Sequence, residues 1–347
     1  MFPACRYNLP GVFVMKRRRL VGLFAYVFLI VSLVSAISLG AQTAPAQVRA
    51  TDKPFLWRVE GPVPSFLYGT VHVPDQRVLE LPDVVRRALS VSDVFNAEIP
   101  LDAATQLSMM GKIMLPPGQD LKSIVGDDVF ARLTRAVAKG LGSAAPPGAA
   151  DVLAAMLSPM KPWAVMSQVE LLEFLPDISA GRQPLDAMLY SMANKDGKEL
   201  GALETLDEQV AVFEAFTNEE QVKMLVAALD DLEKPRPAGK SSSRELVDLY
   251  LAGDLNRLAD EMNKQQPQDA ALNKKFIGRV IDDRNRKMAE KIAQLCAKKP
   301  SKSYFFAVGA LHYAGDTGIV SLLAKKGYKI TRLGPNDAAS IVRKSAA

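Results

Sequence analysis

Apolar and polar positions change their period several times along the chain, and each change predicts an element. "PFLWRVEG" (54–61) and "SFLYGTVHV" (65–73) are short, aromatic and β-branched runs, separated by Gly61-Pro62-Val63-Pro64. They predict two strands joined by a turn. "LPDVVRRALSVSD" (81–93) takes up the helical period and "VFNAEIP" (94–100) returns to a short apolar run ending in Glu98. Strand, crossover helix and strand in that order favour a sheet with helices against it.

From Leu101 to about Leu200 the helical period dominates, with Asp120 and Asp127 as predicted caps and breaks at "LPPGQD" and "AAPPGAAD". "KELGALET" (198–205) predicts a further strand leading into a helix at "LDEQVAVFEAF". "TNEEQVKMLVAALDDLEK" predicts a helix opened by a Thr217/Glu220 capping box. After the loop "KPRPAGKSSS", helical stretches cover 244–262 and 273–296. The chain then closes with strand "SYFFAVGALH", helix "GIVSLLAKKG" and strand "YKITRL". Both ends therefore have α/β character and the middle reads as a helical insertion, about 101–198 and 206–296. No fixed-period repeat is present.

Charge and the first residues change this picture only at the N-terminus. The stretch from Met15 carries Lys16 and Arg17 to Arg19, then the uncharged run Leu20–Leu39, then small residues at Ser38, Gly40 and Ala41. That is the layout of a secretory signal, and the run is also long enough to span a bilayer. The small residues favour cleavage, with a retained anchor as the alternative. Residues 1–42 are thus expected to be an N-terminal extension plus signal peptide or anchor, Met15 being an alternative start. Residues 43–51 form a linker, 52–335 the folded domain and 336–347 a tail. An exported protein, periplasmic or extracellular, is expected, with membrane contact only if the N-terminal segment is retained. The basic leader supplies four charges of the formal net +5, so the remainder is near neutral. No basic stripe with interleaved aromatics remains, and nucleic acid is not an expected partner. Cys5 precedes the apolar run; Cys296, in a helical stretch, is expected to be a packed thiol.

Candidate chemistry centres on histidine. The chain has two, and both close the same phrase: an apolar run, then Gly-x-x-His, at Gly69/His72 and Gly309/His312. At the carboxyl ends of sheet strands such residues reach the crevice where α/β proteins place their sites, and glycine allows close backbone approach there. Glu98 closes a third predicted strand. Two neutral imidazoles and a carboxylate are a common ligand set for Zn²⁺ or Mn²⁺, whose bound water becomes a nucleophile. Without metal, the same groups could act as a general base and its orienting acid. The bland alternatives are satisfied strand-end histidines, a solvated or capping Glu98, Arg284 and Asn285 on a charged helix face, and Glu204 as a helix cap. Ser65, Ser167 and Ser303 lie in no Gly-x-Ser-x-Gly elbow. There is no phosphate loop, His-Glu-x-x-His or paired-cysteine zinc motif.

Taken together, "LYGTVHV", "AEIP", "GKELGALETLDEQ", "DDRNRKMAEKI" and "FFAVGALHYAGDTGIVSLLAKKGYKI" resemble the TraB/GumN family, over about residues 52–335. That family includes the pheromone-shutdown protein PrgY and the animal Tiki proteins. The resemblance implies a metal-dependent hydrolase-like site whose two Gly-x-x-His motifs, glutamate and arginine fall here on His72, His312, Glu98 and Arg284. Tiki proteins are similar in being extracytoplasmic proteases that use a divalent metal, Mn²⁺ or Co²⁺, and act on secreted Wnt proteins; PrgY-like members lower secreted peptide activity. The implied fold is distantly related to those of erythromycin esterase and the haem-binding ChaN. Two positions depart from the family pattern. Asp283 stands where glutamate is frequent, and Tyr313 and Ala314 follow the second histidine; neither removes a ligand.

The expectation is an exported α/β protein: a central mixed sheet flanked by helices, with a helical insertion. Its His72, Glu98 and His312 would bind a divalent metal (Mn, Co or Zn) that activates water for hydrolysis of a peptide or protein substrate. Arg284 would pair with Glu98 or bind a substrate carboxylate or oxyanion, and Asn285 and Glu204 would support the site. Two alternatives stand beside it: a metal-independent His/Glu esterase-like hydrolase, and a binding protein for haem, metal or peptide without turnover.

Overall fold

Strands β1 (Leu56–Val59), β2 (Ser65–Thr70), β3 (Val94–Ala97), β4 (Glu199–Ala202), β5 (Tyr304–Gly309) and β6 (Ile330–Arg332) form one sheet in the order β4-β3-β5-β2-β1-β6. The computed structural model describes residues 50–142, 145–237, 241–264 and 269–342. The leader expected from Met15 lies outside the described residues. Among those described, no helix is long and apolar enough to cross a membrane.

The sheet is mixed. β4, β3, β5 and β2 are mutually parallel, whereas β1 pairs antiparallel with β2 and with β6. Parallel strands need crossovers, and helices cover the sheet. That is why β2 and β5 read as near-continuous apolar runs: every residue of both is buried. Phe66 and Phe95 are register partners of Phe305 from either side, all three at 0–1% exposure, with the Phe95 and Phe305 rings stacked at 6.1 Å.

The late strand β5 slots between β2 and β3. The connection from β2 therefore runs to one side and the chain returns much later to fill the gap. This strand-order reversal opens a crevice at the carboxyl ends of the strands. The predicted helical stretches fall between β3 and β4 and between β4 and β5.

Several boundaries differ from expectation for local reasons. β2 stops at Thr70 rather than Val73, because its ladder with β5 ends at the Thr70–Gly309 pair and Pro74 and the Asp75-capped turn Gln76–Leu79 redirect the chain. His72 is therefore in a bend, not a strand. β5 ends at Gly309, and His312 sits in the 3-10 turn Ala310–Tyr313. The stretch 244–262 is two helices, Ser242–Ala252 and Leu255–Lys264, broken at Gly253 with φ 67°. Asp120 caps as expected, accepting from Ser123 N. Asp127 does not: Gly126, at φ 84°, holds the cap position and Asp127 is the first helical residue. The Thr217/Glu220 capping box forms. Cys296 is a partly covered free thiol.

Candidate active site

Four adjacent strands deliver one polar side chain each to the same edge. Across the sheet they are Glu204 just past β4, Glu98 just past β3, His312 past β5 and His72 past β2. The two glycines of the repeated phrase do different work. A Cβ on Gly69 would lie 2.9 Å from Phe55 Cβ and 3.2 Å from Ala310 Cα, so Gly69 lets the turn that carries His312 pack onto β2. A Cβ on Gly309 would meet Glu98 Oε1 at 3.2 Å, His72 Nε2 at 3.4 Å and His312 Cδ2 at 3.6 Å. Gly309 is thus the floor of a small cradle ringed by three of the predicted site residues.

That cradle sets a first prediction. Gly309→Ala keeps an ordinary strand backbone but inserts a methyl group among Glu98, His72 and His312. The expected result is a folded protein, within about 3 kcal/mol of the parent, in which Glu98, His72 and His312 have been pushed apart. Thermal denaturation and the NMR signals of the two histidine rings read the two quantities separately.

Arg284 reaches the cradle from the helix Asp283–Lys298. A π-helical turn, Ile277–Asp282, runs directly into that helix; such irregular turns are frequent at functional sites. Arg284 and Asn285 both point inward here, at 5% and 0% exposure. Arg284 Nη2 donates to Glu98 Oε2 at 2.5 Å and to Glu204 Oε2 at 2.7 Å, while Nε donates to Glu204 at 2.9 Å. Nη1 donates to His312 Nε2 at 3.2 Å. Of the two roles expected for Arg284, the structure places it in the pairing with Glu98. Glu204 is not the cap of the following helix: Thr205 takes that position, in a capping box with Glu208.

Glu98 Oε1 accepts from Gly309 N at 2.7 Å and lies 3.9 Å from His72 Nε2. Burial alone would raise the Glu98 pKa, but the charges of Arg284 and His72 and the Gly309 N–H outweigh it and hold the carboxyl well below the usual range. Glu204 moves the other way: burial raises it more than its bonds to Arg284 lower it.

Each histidine has its Nδ1 fixed by a side chain. His312 Nδ1–H donates to Asn285 Oδ1 at 2.6 Å, and Asn285 Nδ2 donates to Thr317 O at 2.9 Å. His72 Nδ1–H donates to Asp186 Oδ2 at 2.8 Å, and Thr70 Oγ1 donates to Asp186 Oδ1 at 2.5 Å. The different partners separate the two rings. Burial drives His312 down to about 3, so it is neutral throughout the working range. The Asp186 charge lifts His72 to about 9 against the lowering effect of its surroundings. Solvent at this ring, 65% exposed, screens part of that attraction. Paired groups whose surroundings drive their pKa values apart are the pattern of an acid–base site.

Sequence reasoning missed Asp186 and Thr70. Asp186 lies in the helix Leu185–Lys195, 114 residues from His72, and no motif marks it.

The predicted metal ligands can be tested as a donor set. His72 Nε2 and Glu98 Oε1 both face the Gly309 cradle. His312 presents Cδ2 to it, and its Nε2 is held by the Arg284 cation. Among the described residues, no group of three or more His, Cys, Asp or Glu is placed to hold a metal ion. Catalytic metal sites ordinarily use three protein ligands. In the described arrangement, the donor set does not fit a three-ligand metal centre.

A model of the TraB/PrgY/gumN family matches residues 55–332. The chain is 27% identical over 317 residues to a protein of Amphimedon queenslandica named metalloprotease TIKI homolog, covering 82% of this chain and 62% of that protein. It is 28% identical over 341 residues to metalloprotease TIKI2 of Danio rerio, covering 86% and 66%. A TIKI homolog of Nematostella vectensis is 28% identical over 320 residues, covering 81% and 67%. The chain thus spans about two thirds or less of the length of the first two relatives. No solved structure matches it.

Proposed function

Given that this chain belongs to the TraB/PrgY/gumN family, and that relatives of low identity are named metalloproteases, we propose that it is a hydrolase that activates water at the Gly309 cradle to cleave peptide bonds. The observation that carries this reading is the convergence of His72 Nε2, Glu98 Oε1 and the His312 ring on Gly309, 3.2–3.6 Å from the point a side chain there would occupy.

In this reading His72 is the proton-transfer group. Asp186 fixes its Nδ1–H, which leaves Nε2 to take a proton from water above the cradle. Glu98, permanently ionised, stabilises the imidazolium that results. His312, always neutral and buried, completes the wall and helps hold Arg284. The guanidinium, its N–H groups taken up by Glu204, Glu98 and His312, holds these side chains in place around the cradle. A metal is implied by the names of the relatives rather than by this donor set, Mn, Co or Zn being the expectation from the sequence, and the proton transfer above runs without it. The export expected from the leader would bring the site to secreted or periplasmic peptides.

The test is cleavage of a peptide library by untagged protein, with and without chelator, comparing the parent with His72→Ala and His312→Ala. Elemental analysis after separate dialysis against Mn²⁺, Co²⁺ and Zn²⁺ accompanies it. Chelator-resistant cleavage lost in His72→Ala supports the metal-free route. One equivalent of metal, retained by the parent and lost in His72→Ala, would restore the metal route.

The pH profile gives a further expected outcome. A raised imidazole pKa keeps the protonated form to higher pH, and the base appears only as pH climbs through the folded value. In metal-free protein, kcat/KM should rise about tenfold per pH unit and level off above the ordinary imidazole value of about 6.5 and no higher than about 9, since solvent screens part of the lift that Asp186 gives His72. A flat profile from pH 6 to 9 would remove His72 as the base.

A further inference from the structure

We propose that Asp186 is a positioning residue for His72, so that the helical insertion supplies part of the active site. This inference rests on the hydrolase reading for its catalytic consequence, but its geometric content stands apart from it.

An aspartate in the first turn of a helix is favoured there by the helix dipole whether or not its oxygens bond to that helix. Asp186 occupies such a position in Leu185–Lys195, and both of its oxygens cross to the sheet. Oδ1 accepts from Thr70 Oγ1 at 2.5 Å and Oδ2 from His72 Nδ1 at 2.8 Å. Its side chain is 18% exposed, against 65% for His72. A mostly covered carboxylate therefore anchors an open, solvent-facing ring. Thr70 and His72 are two residues apart, so one carboxylate spans both and fixes the chain where β2 ends. The anchored ring turns Nε2 to the Gly309 cradle and toward Glu98 Oε1 at 3.9 Å. Asn285 does the corresponding work for His312, at 2.6 Å. A neutral amide serves the ring that stays neutral, and a carboxylate serves the ring that must carry charge.

Thr70 gives the substitution its logic. Its hydroxyl donates to Oδ1, so in Asp186→Asn the amide oxygen takes that bond and the amide N–H₂ faces His72 Nδ1. The ring must then accept at Nδ1 and carry its proton on Nε2, the wrong tautomer for a base at the cradle. Loss of a carboxylate that fixes an imidazole in this way lowers turnover by about a hundredfold or more.

The experiment is heteronuclear NMR of the imidazole rings in untagged full-length protein at pH 10, above the value of about 9 to which Asp186 lifts His72, so that the ring is neutral and has one tautomer; two histidines give two ring systems. His72→Ala identifies which is which. The parent should show a downfield, protected Nδ1–H on His72. In Asp186→Asn that signal should vanish and the proton move to Nε2, with the His312 ring unchanged as evidence of an intact fold. Peptide-library cleavage should fall about a hundredfold or more in kcat, with KM changed less than about threefold, and Thr70→Val should give a smaller loss in the same direction. A His72 spectrum identical in Asp186→Asn and the parent overturns the inference, as does unchanged kcat despite a switched tautomer. Parent protein that cleaves nothing defeats the hydrolase reading instead, and the ring spectrum alone then decides whether Asp186 orients His72.

Discussion

Arg284→Ala should destabilise the fold by about 3–5 kcal/mol, the cost of removing one partner from a buried ion pair. Arg284 is 5% exposed, Glu98 8% and Glu204 6%. The substitution leaves two carboxylates facing each other without the guanidinium between them, with only the exposed His72 ring 3.9 Å from Glu98, and His312 Nε2 loses its donor. The melting temperature should fall by on the order of 10 °C. The pH dependence should also change. In the parent, Glu98 has a depressed pKa, so its stabilising contribution is present above the unfolded carboxylate pKa of about 4.3 and is lost as pH falls toward the folded value. Without Arg284, burial raises both carboxyl pKa values above the unfolded one, and the folded state then binds protons more tightly than the unfolded state. Stability of Arg284→Ala should therefore increase as pH is lowered from 8 to 5, a range over which the contribution of Glu98 in the parent stays constant. Adding Glu204→Gln to Arg284→Ala removes one stranded charge and should recover part of the loss. Thermal denaturation of the parent and the two variants across that range measures this. A variant within 1 kcal/mol of the parent at pH 8 would mean that the triad contributes little to the fold.

How much of this was legible in the sequence varies with the range of the signal. The strands could be read because β2 and β5 are buried throughout, which makes short aromatic and β-branched runs that nothing else in the chain imitates. Their ends could not, since "TVHV" continues the alternation after the ladder has stopped at Thr70. The Gly-x-x-His echo pointed to His72 and His312 because the same phrase closes two neighbouring parallel strands, although a bend follows one and a 3-10 turn the other. It did not reveal that Gly69 serves packing while Gly309 faces the site, a distinction that depends on which strand lies beside which. Glu98 was readable as a strand-end acid. Its fixed partner Arg284 came from a family phrase in a charged helix, where inward and outward arginines look alike until the π turn sets their direction. Asp186 and Thr70 left no local trace. Threonine at a strand end and aspartate in a first helical turn are both ordinary, and only the folding of the insertion back over β2 brings them together.

His72→Ala is the substitution that separates chemistry from folding most cleanly. The His72 side chain is 65% exposed, so its removal exposes little apolar surface and should change stability by no more than about 0.5 kcal/mol. Asp186 keeps its bond from Thr70, and solvent reaches the vacated side of its carboxylate. Activity should nonetheless fall by about 10²–10⁴-fold, the usual contribution of a positioned acid–base group, and mainly in kcat, because the ring acts on water rather than holding substrate. His312→Ala makes the contrast. That ring is 5% exposed, and its loss leaves Asn285 Oδ1 and one Arg284 N–H without partners. A cost of about 1–3 kcal/mol for each buried group left unsatisfied is expected, so any loss of activity there is mixed with damage to the fold. Cleavage kinetics and denaturant titration of both variants on the same preparation make the comparison. If His72→Ala cleaves as the parent does, the proton-transfer role falls, and with it the claim that the cradle at Gly309 is where water is activated.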